Sequence, residues 1–305
     1  MDFLNEVNRK ISENRTEMIS SLSALISVPS MAVETQGRKP FGENVQKAFE
    51  YMLDLAEREG FETYNADNYG GHVDFKGKSD GIVGIVAHLD VVPEGDGWDF
   101  DPYGGSMIDG YICGRGAVDD KGPAIASFYA MKALKECGYE PEKTIRLILG
   151  LDEETNWKGM EYYLDKVDRL PDIGFSPDAD FPAIHGEKGI IMFEIVKKFE
   201  SFRGKGLELS SVKGGTAGNS VADFSRAVIH DSSGKGYQNI KNMVAEFRRE
   251  KGCRINCRGT GRSLEITVHG ISAHGATPEK GESGTRNKMP ALASCSDPQK
   301  LIWYA

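Results

Sequence analysis

Cysteine is scarce in this 305-residue chain, with five residues scattered along it, so a disulfide framework of the small secreted kind is not expected. Long apolar runs are missing too. The N-terminal apolar residues are interleaved with charges, so neither a leader peptide nor a membrane-spanning helix is expected. There is no basic excess either: 46 acidic residues outnumber 37 basic ones, for a net charge of -9. That balance lacks the electrostatic footprint of a nucleic-acid or anionic-membrane partner. Neither GxGxxG nor a P-loop occurs, which removes the common phosphate cradles. The expectation left standing is a cytoplasmic protein acting on a small molecule, and nothing in the sequence fixes an oligomeric state.

What is present is an ordinary globular composition, 39% hydrophobic and 27% charged, long enough for more than one domain. Leu4, Val7, Ile11, Met18, Leu22 and Leu25 recur at helical spacing before Pro29, which predicts one amphipathic helix over 2–27. A second helix is expected over 43–59, ending at Gly60. Short strands at 61–65 and 72–76 flank a turn at 68–71, with His72 read as a strand side chain. Two apolar runs without helical spacing, Ile82–Ala87 and Thr144–Leu149, read as buried strands, with a helix between them opening at Gly122 and Pro123. The loop from Pro93 to Gly116 is too long for a plain connection and is expected to shape a site.

Acids gather where the buried strands end. His88 and Asp90 follow the first, two residues apart and so able to share a face. Such an imidazole commonly hands its second N–H to a carboxylate, the role for which Asp90 is the candidate. Taken alone, the pair equally suits a satisfied histidine at a strand end. Asp119 and Asp120 sit in GRGAVDDKGP, Glu153 and Glu154 follow the second strand, and Asp178 and Asp180 lie in PDADFP. A lone acidic run is usually a solvated turn, but ligands of open α/β sheets collect outside the carboxyl ends of strands. One histidine with several carboxylates suits zinc, manganese or cobalt, and shared carboxylates suggest two metals about 3.5 to 4 Å apart. Of two adjacent glutamates, one can hold metal while the other takes a proton from water.

The segments HLDVVPEGDGWDFDPY, GRGAVDDKGP, LDEETNWKGM and PDADFPAIHGEKG resemble the co-catalytic di-zinc peptidases that include aminoacylases, carboxypeptidase G and succinyl-diaminopimelate desuccinylase. The likeness runs over residues 1–281 and is strongest to PepV-type, carnosinase-like dipeptidases. It implies an α/β fold, a zinc-peptidase-like mixed sheet with flanking helices plus a smaller, incomplete α/β lid domain. It also implies zinc-dependent hydrolysis of dipeptides through a metal-bridging water, with a small peptide as the only partner. In this likeness His88, Asp119, Glu154 and Asp178 are metal ligands, Asp119 bridging, and Asp180 is the less favoured substitute for Asp178. Asp90 orients His88, Glu153 is the general base, and the Asp119–Asp120 peptide is cis. Asn219 contacts substrate and His274 polarises the scissile carbonyl. A deacylase or desuccinylase would share every metal motif, and a non-catalytic fragment is the alternative outside enzymes.

Three segments are expected: a metal-binding domain over 1–186, a partial lid over 187–281 and an aberrant tail over 282–305. The lid should hold strands at 190–198, 207–212 and 263–269 and a helix at 237–249. The resembling enzymes return to the catalytic domain after the lid with a further zinc histidine. No such return is legible here, so one weakly held metal and little turnover are expected.

Overall fold

A computed structural model describes residues 2–95, 98–179, 183–186, 207–215, 220–231, 237–273 and 277–281, with positions 189, 191, 218, 275 and 283. The chain divides into two compact units, Met1–His185 and Gly186–Ala305.

The first unit opens with α1 (Phe3–Glu13) and α2 (Arg15–Ile26) rather than one helix. They meet at Asn14, whose side chain donates to Glu136 at 3.0 Å. No proline or glycine marks that break, so the apolar spacing runs through it. Next come α3 (Glu43–Arg58), β1 (Glu62–Asn65), β2 (Gly71–Phe75) and β3 (Ser79–His88). The long loop folds a small hairpin, β4 (Ser106–Ile108) and β5 (Tyr111–Cys113). The unit ends with α4 (Lys121–Glu136), β6 (Lys143–Gly150), α5 (Lys158–Lys166) and β7 (Ile173–Phe175).

Its sheet is mixed, in the order β1-β2-β6-β3-β7. β3 runs parallel to both β6 and β7, while β1, β2 and β6 pair antiparallel. Strand alternation sorts the side chains. Ile85, Ala87, Leu147 and Leu149 join the main core with Phe49 and Met52 of α3 and Ile125, Phe128 and Met131 of α4. Ile148 turns the other way, onto Tyr163 of α5, with Val86 and Met160 beside them. Helices thus cover both faces, and the carboxyl ends of β3 and β6 stand side by side, with His88 opposite Gly150.

A buried polar cluster interrupts the α5 face. Arg146 of β6 donates twice to Asp74 of β2, both at 2.8 Å, and His72 Nδ1 meets the Tyr163 hydroxyl at 2.8 Å. The hairpin is pinned to α2, where Ser23 Oγ donates to Gly105 O at 2.7 Å. Gly105 has φ +55° and any Cβ would fall 2.7 Å from Ser23 O, so only glycine fits.

The second unit holds β8 (Leu207–Gly214), β9 (Phe224–Asp231), α6 (Tyr237–Lys251), β10 (Arg254–Thr260) and β11 (Ser263–His269). Its sheet is antiparallel, in the order β10-β11-β9-β8. Ile240 and Val244 of α6 pack on Ala227, Ile229, Ile255, Leu264, Ile266 and Val268. Two of its strands, β9 and β10, had no counterpart in the sequence reading. The strand expected at 190–198 lies almost wholly outside the described residues. Among the described residues no helix is long and apolar enough to cross a membrane.

Candidate metal centre

β3 carries His88 to its end and buries the ring at 2% exposure. Nδ1 lies 3.0 Å from the carbonyl of Asp90. A proton donated there leaves Nε2 to face outward. Around Nε2 stand Asp119 Oδ1 at 3.0 Å, Asp178 Oδ2 at 3.4 Å and Glu153 Oε2 at 3.8 Å. Two groups of donor atoms share this imidazole: His88 with Glu153 and Glu154, and His88 with Asp119 and Asp178, each group spanning no more than 4.8 Å.

Every acid arrives from a different segment. Asp119 stands at the turn before α4, half-exposed, and its peptide to Asp120 is cis. Asp120 is fully buried, and its Oδ2 accepts the backbone N–H of His88 at 3.1 Å. The turn is compact: a Cβ on Gly122 would lie 2.1 Å from Ala117 O. Lys121 fastens it to the end of α2, donating from Nζ to Leu25 O at 3.0 Å and Val28 O at 2.7 Å. Burial lowers the Lys121 pKa to about 8, against the pull of Asp90. Glu153 and Glu154 leave the end of β6, and Asp178 follows β7.

Asp90 stands beside the imidazole it was expected to orient and has a second use as well. Its carboxylate is bonded to the backbone N–H groups of Glu153, at 3.1 Å, and Glu154, at 3.0 Å. His88 Nδ1 faces its carbonyl at 3.0 Å and its Oδ1 at 3.4 Å. Asp90 therefore ties the end of β3 to the acidic turn after β6. The sequence reading also missed Asp152, which is buried and caps α5 by accepting the Gly159 N–H at 3.0 Å. Its neighbours in the DEE run hid that structural use. Asn219, His274 and Asp180 lie outside the described residues.

The electrostatics describe a site short of positive charge. Burial disfavours the imidazolium of His88, but Asp119, Asp178 and Asp90 outweigh it and raise its pKa well above the usual range. Burial, then Asp119, pushes Glu154 up to about 7. Glu153 is also raised, by burial first and then by Asp178 and its acidic neighbours. Asp120 reaches about 8 through burial and the charge of Asp178. Acids crowded so closely hold protons unless a cation neutralises them. The donor set, one imidazole and four carboxylates, therefore fits a divalent metal such as zinc, manganese or cobalt.

Residues 84–278 match peptidase family M20/M25/M40. A Staphylococcus epidermidis protein named "Putative dipeptidase" is 35% identical over 291 residues, covering 93% of this chain and 61% of its own length. A Staphylococcus haemolyticus protein of the same kind of name is 36% identical over 282 residues, covering 89% and 58%. The chain thus spans about three fifths of the length of these relatives. Among solved structures, human carnosine dipeptidase 1 aligns over 54% of this chain and 38% of its own, at 24% identity and a TM-score of 0.48.

Proposed function

Since the chain belongs to peptidase family M20/M25/M40, we propose that it is built for metal-dependent hydrolysis of the peptide bond in dipeptides, in the cytoplasm. The observation that carries this reading is the convergence of Asp119, Glu153 and Asp178 on one nitrogen of His88, with Glu154 in the same cluster. The dipeptidase names of its relatives support the substrate class.

His88, Asp119, Glu154 and Asp178 would hold the metal, zinc being the ion best suited to an imidazole among carboxylates. Bound there, it would act as a Lewis acid toward the scissile carbonyl and the attacking water. Glu153 takes the proton of that water, a task suited to a carboxylate of raised pKa, and passes it to the leaving amine. Asp90 fixes the turn that presents both glutamates, and Asp120 holds the backbone of His88. The first unit is thus assigned the catalytic role. The lid segment over 187–281 is assigned substrate contact through Asn219 and His274.

Purified chain reconstituted with zinc and assayed on a dipeptide panel tests the proposal. The expected result is slow hydrolysis, in keeping with the little turnover expected from the sequence, that a chelator abolishes and zinc restores. Metal-loaded protein that cleaves no dipeptide would sink it, and cleavage of N-acyl amino acids in their place would reassign it to a deacylase.

A further inference from the structure

The acidic cluster forms only part of the wall of the depression it faces. Beside His88, Glu153 and Asp178 its lining includes Val86, Gly150, Trp157 and Met160, with Asp152 and Ser176 among them. The polar side chains among that lining make bonds elsewhere or are buried. Ser176 Oγ donates to Val86 O at 2.9 Å. Asp152 accepts the Gly159 N–H through Oδ1, and its Oδ2 is buried without a hydrogen-bond partner. What remains facing the depression there is apolar: a valine, a methionine, an indole and a bare glycine backbone.

The indole is held deliberately. Trp157 takes φ +59° and ψ +14°, a left-handed conformation rare for a bulky residue. Its backbone N–H donates to Asp152 O at 3.2 Å. More than half of its surface stays exposed. An aromatic kept half-open in a strained conformation beside an acidic cluster is poorly explained by packing alone.

We infer that this apolar side is a subsite for an aliphatic side chain of the substrate, and that Gly150, Met160 and Trp157 set the size it accepts. The inference rests on the dipeptidase reading and adds the class of dipeptide: one with a branched or linear aliphatic residue next to the cleaved bond. Gly150 is the decisive position. A Cβ built there meets His88 Cβ at 3.4 Å, Ala87 O at 3.5 Å and Met160 Cε at 3.7 Å, all ordinary contacts. Its φ is not in the left-handed range, so alanine fits without moving the backbone. That one methyl is taken from the floor of the subsite.

The test measures binding rather than turnover. Zinc-loaded chain carrying Glu153→Gln, with and without Gly150→Ala, is titrated calorimetrically with Leu-Gly, Gly-Leu, Ala-Gly and Gly-Ala. The expected result is that Gly150→Ala weakens one of the two leucine dipeptides roughly tenfold and its alanine counterpart by less than about threefold, the size discrimination of a methylene-scale change. Met160→Ala should relax that preference, and Trp157 fluorescence should respond to the favoured dipeptide. Equal weakening of leucine and alanine dipeptides, no weakening of either, or no binding by the metal-loaded parent would overturn the subsite. Size-selective binding by a chain that hydrolyses nothing would keep the subsite and sink the catalytic reading. Hydrolysis with selectivity untouched by Gly150→Ala would do the reverse.

Discussion

Asp90 Oδ2 accepts the backbone N–H of Glu154 at 3.0 Å, while Oδ1 takes that of Glu153 at 3.1 Å. One fully buried carboxylate therefore sets the position of two others through their main chain. Asn at this position retains one acceptor and turns a donor toward a donor. Asp90→Asn is expected to lower the stability of the metal-free chain by about 1–3 kcal/mol, the cost of an unsatisfied buried group. It should also weaken metal binding about 10- to 100-fold, as loss of a group supporting ligands does. Denaturant titration and metal titration measure the two separately. Unchanged metal affinity would mean that the turn holds its shape without Asp90.

Metal uptake should release protons. Without metal, His88 is protonated at neutral pH because its carboxylate neighbours raise its pKa, and Glu154, at about 7, is about half protonated. Both must lose their protons to act as ligands. Apparent zinc affinity is therefore expected to fall as pH drops, by about tenfold per unit already above pH 7, where His88 gives up its proton, and more steeply below it, where Glu154 adds a second. Calorimetry in buffers of different ionisation enthalpy at pH 7 should show at least one proton released per metal. A pH-independent affinity would mean that these residues are not the ligands.

The two adjacent glutamates should separate in their effects. Glu153→Gln keeps the shape but cannot accept a proton, so kcat on a dipeptide is expected to fall about 10²- to 10⁴-fold with metal content retained. Glu154→Gln is expected to lose metal first and activity as a consequence, with partial rescue by excess zinc. Metal analysis beside kinetics distinguishes them. If Glu153→Gln stripped the metal and Glu154→Gln did not, the two roles would be exchanged.

The first unit of the fold was legible because its strands are unusual in sequence. Ile82–Ala87 and Thr144–Leu149 are apolar runs short enough to be strands, and the acids beyond them mark carboxyl ends. The break at Asn14 left no trace because neither breaker residue stands there and the apolar spacing continues across it. In the second unit, β10 reads Arg-Ile-Asn-Cys-Arg-Gly-Thr, with one buried residue in seven, too thin an alternation to register. β9 does alternate, with Ser225, Ala227, Ile229 and Asp231 buried, but two of those four are polar, which masks the period. In the site, residue types announced the candidate ligands, whereas the uses of Asp90, Asp120 and Asp152 could not be read. Each acts on a backbone amide, brought near by β3–β6 pairing for Asp90, by the turn before α4 for Asp120 and by the turn into α5 for Asp152, and side-chain identity says nothing about which amide that is.

His72 offers a prediction independent of metal and substrate. Its ring is buried, bonded through Nδ1 to the Tyr163 hydroxyl, stacked on Tyr64 and 3.7 Å from Asp74, which is itself paired with Arg146. Burial lowers its pKa to about 4, with Arg146 and Lys76 adding to the effect and Asp74 opposing it. An unfolded chain binds the same proton near pH 6.5. As pH falls below 6.5 the unfolded state is protonated first, so the stability that neutral His72 provides is complete above that pH and is lost down to about pH 4. The loss per pH unit is about 1.4 kcal/mol. Between pH 7.5 and 5.0 the native chain should therefore lose about 2 kcal/mol more than His72→Gln, which has no proton to gain. Urea unfolding of the metal-free proteins at the two pH values measures the difference. Parallel losses would show that the ring is already charged in the folded state, with Asp74 rather than burial governing it.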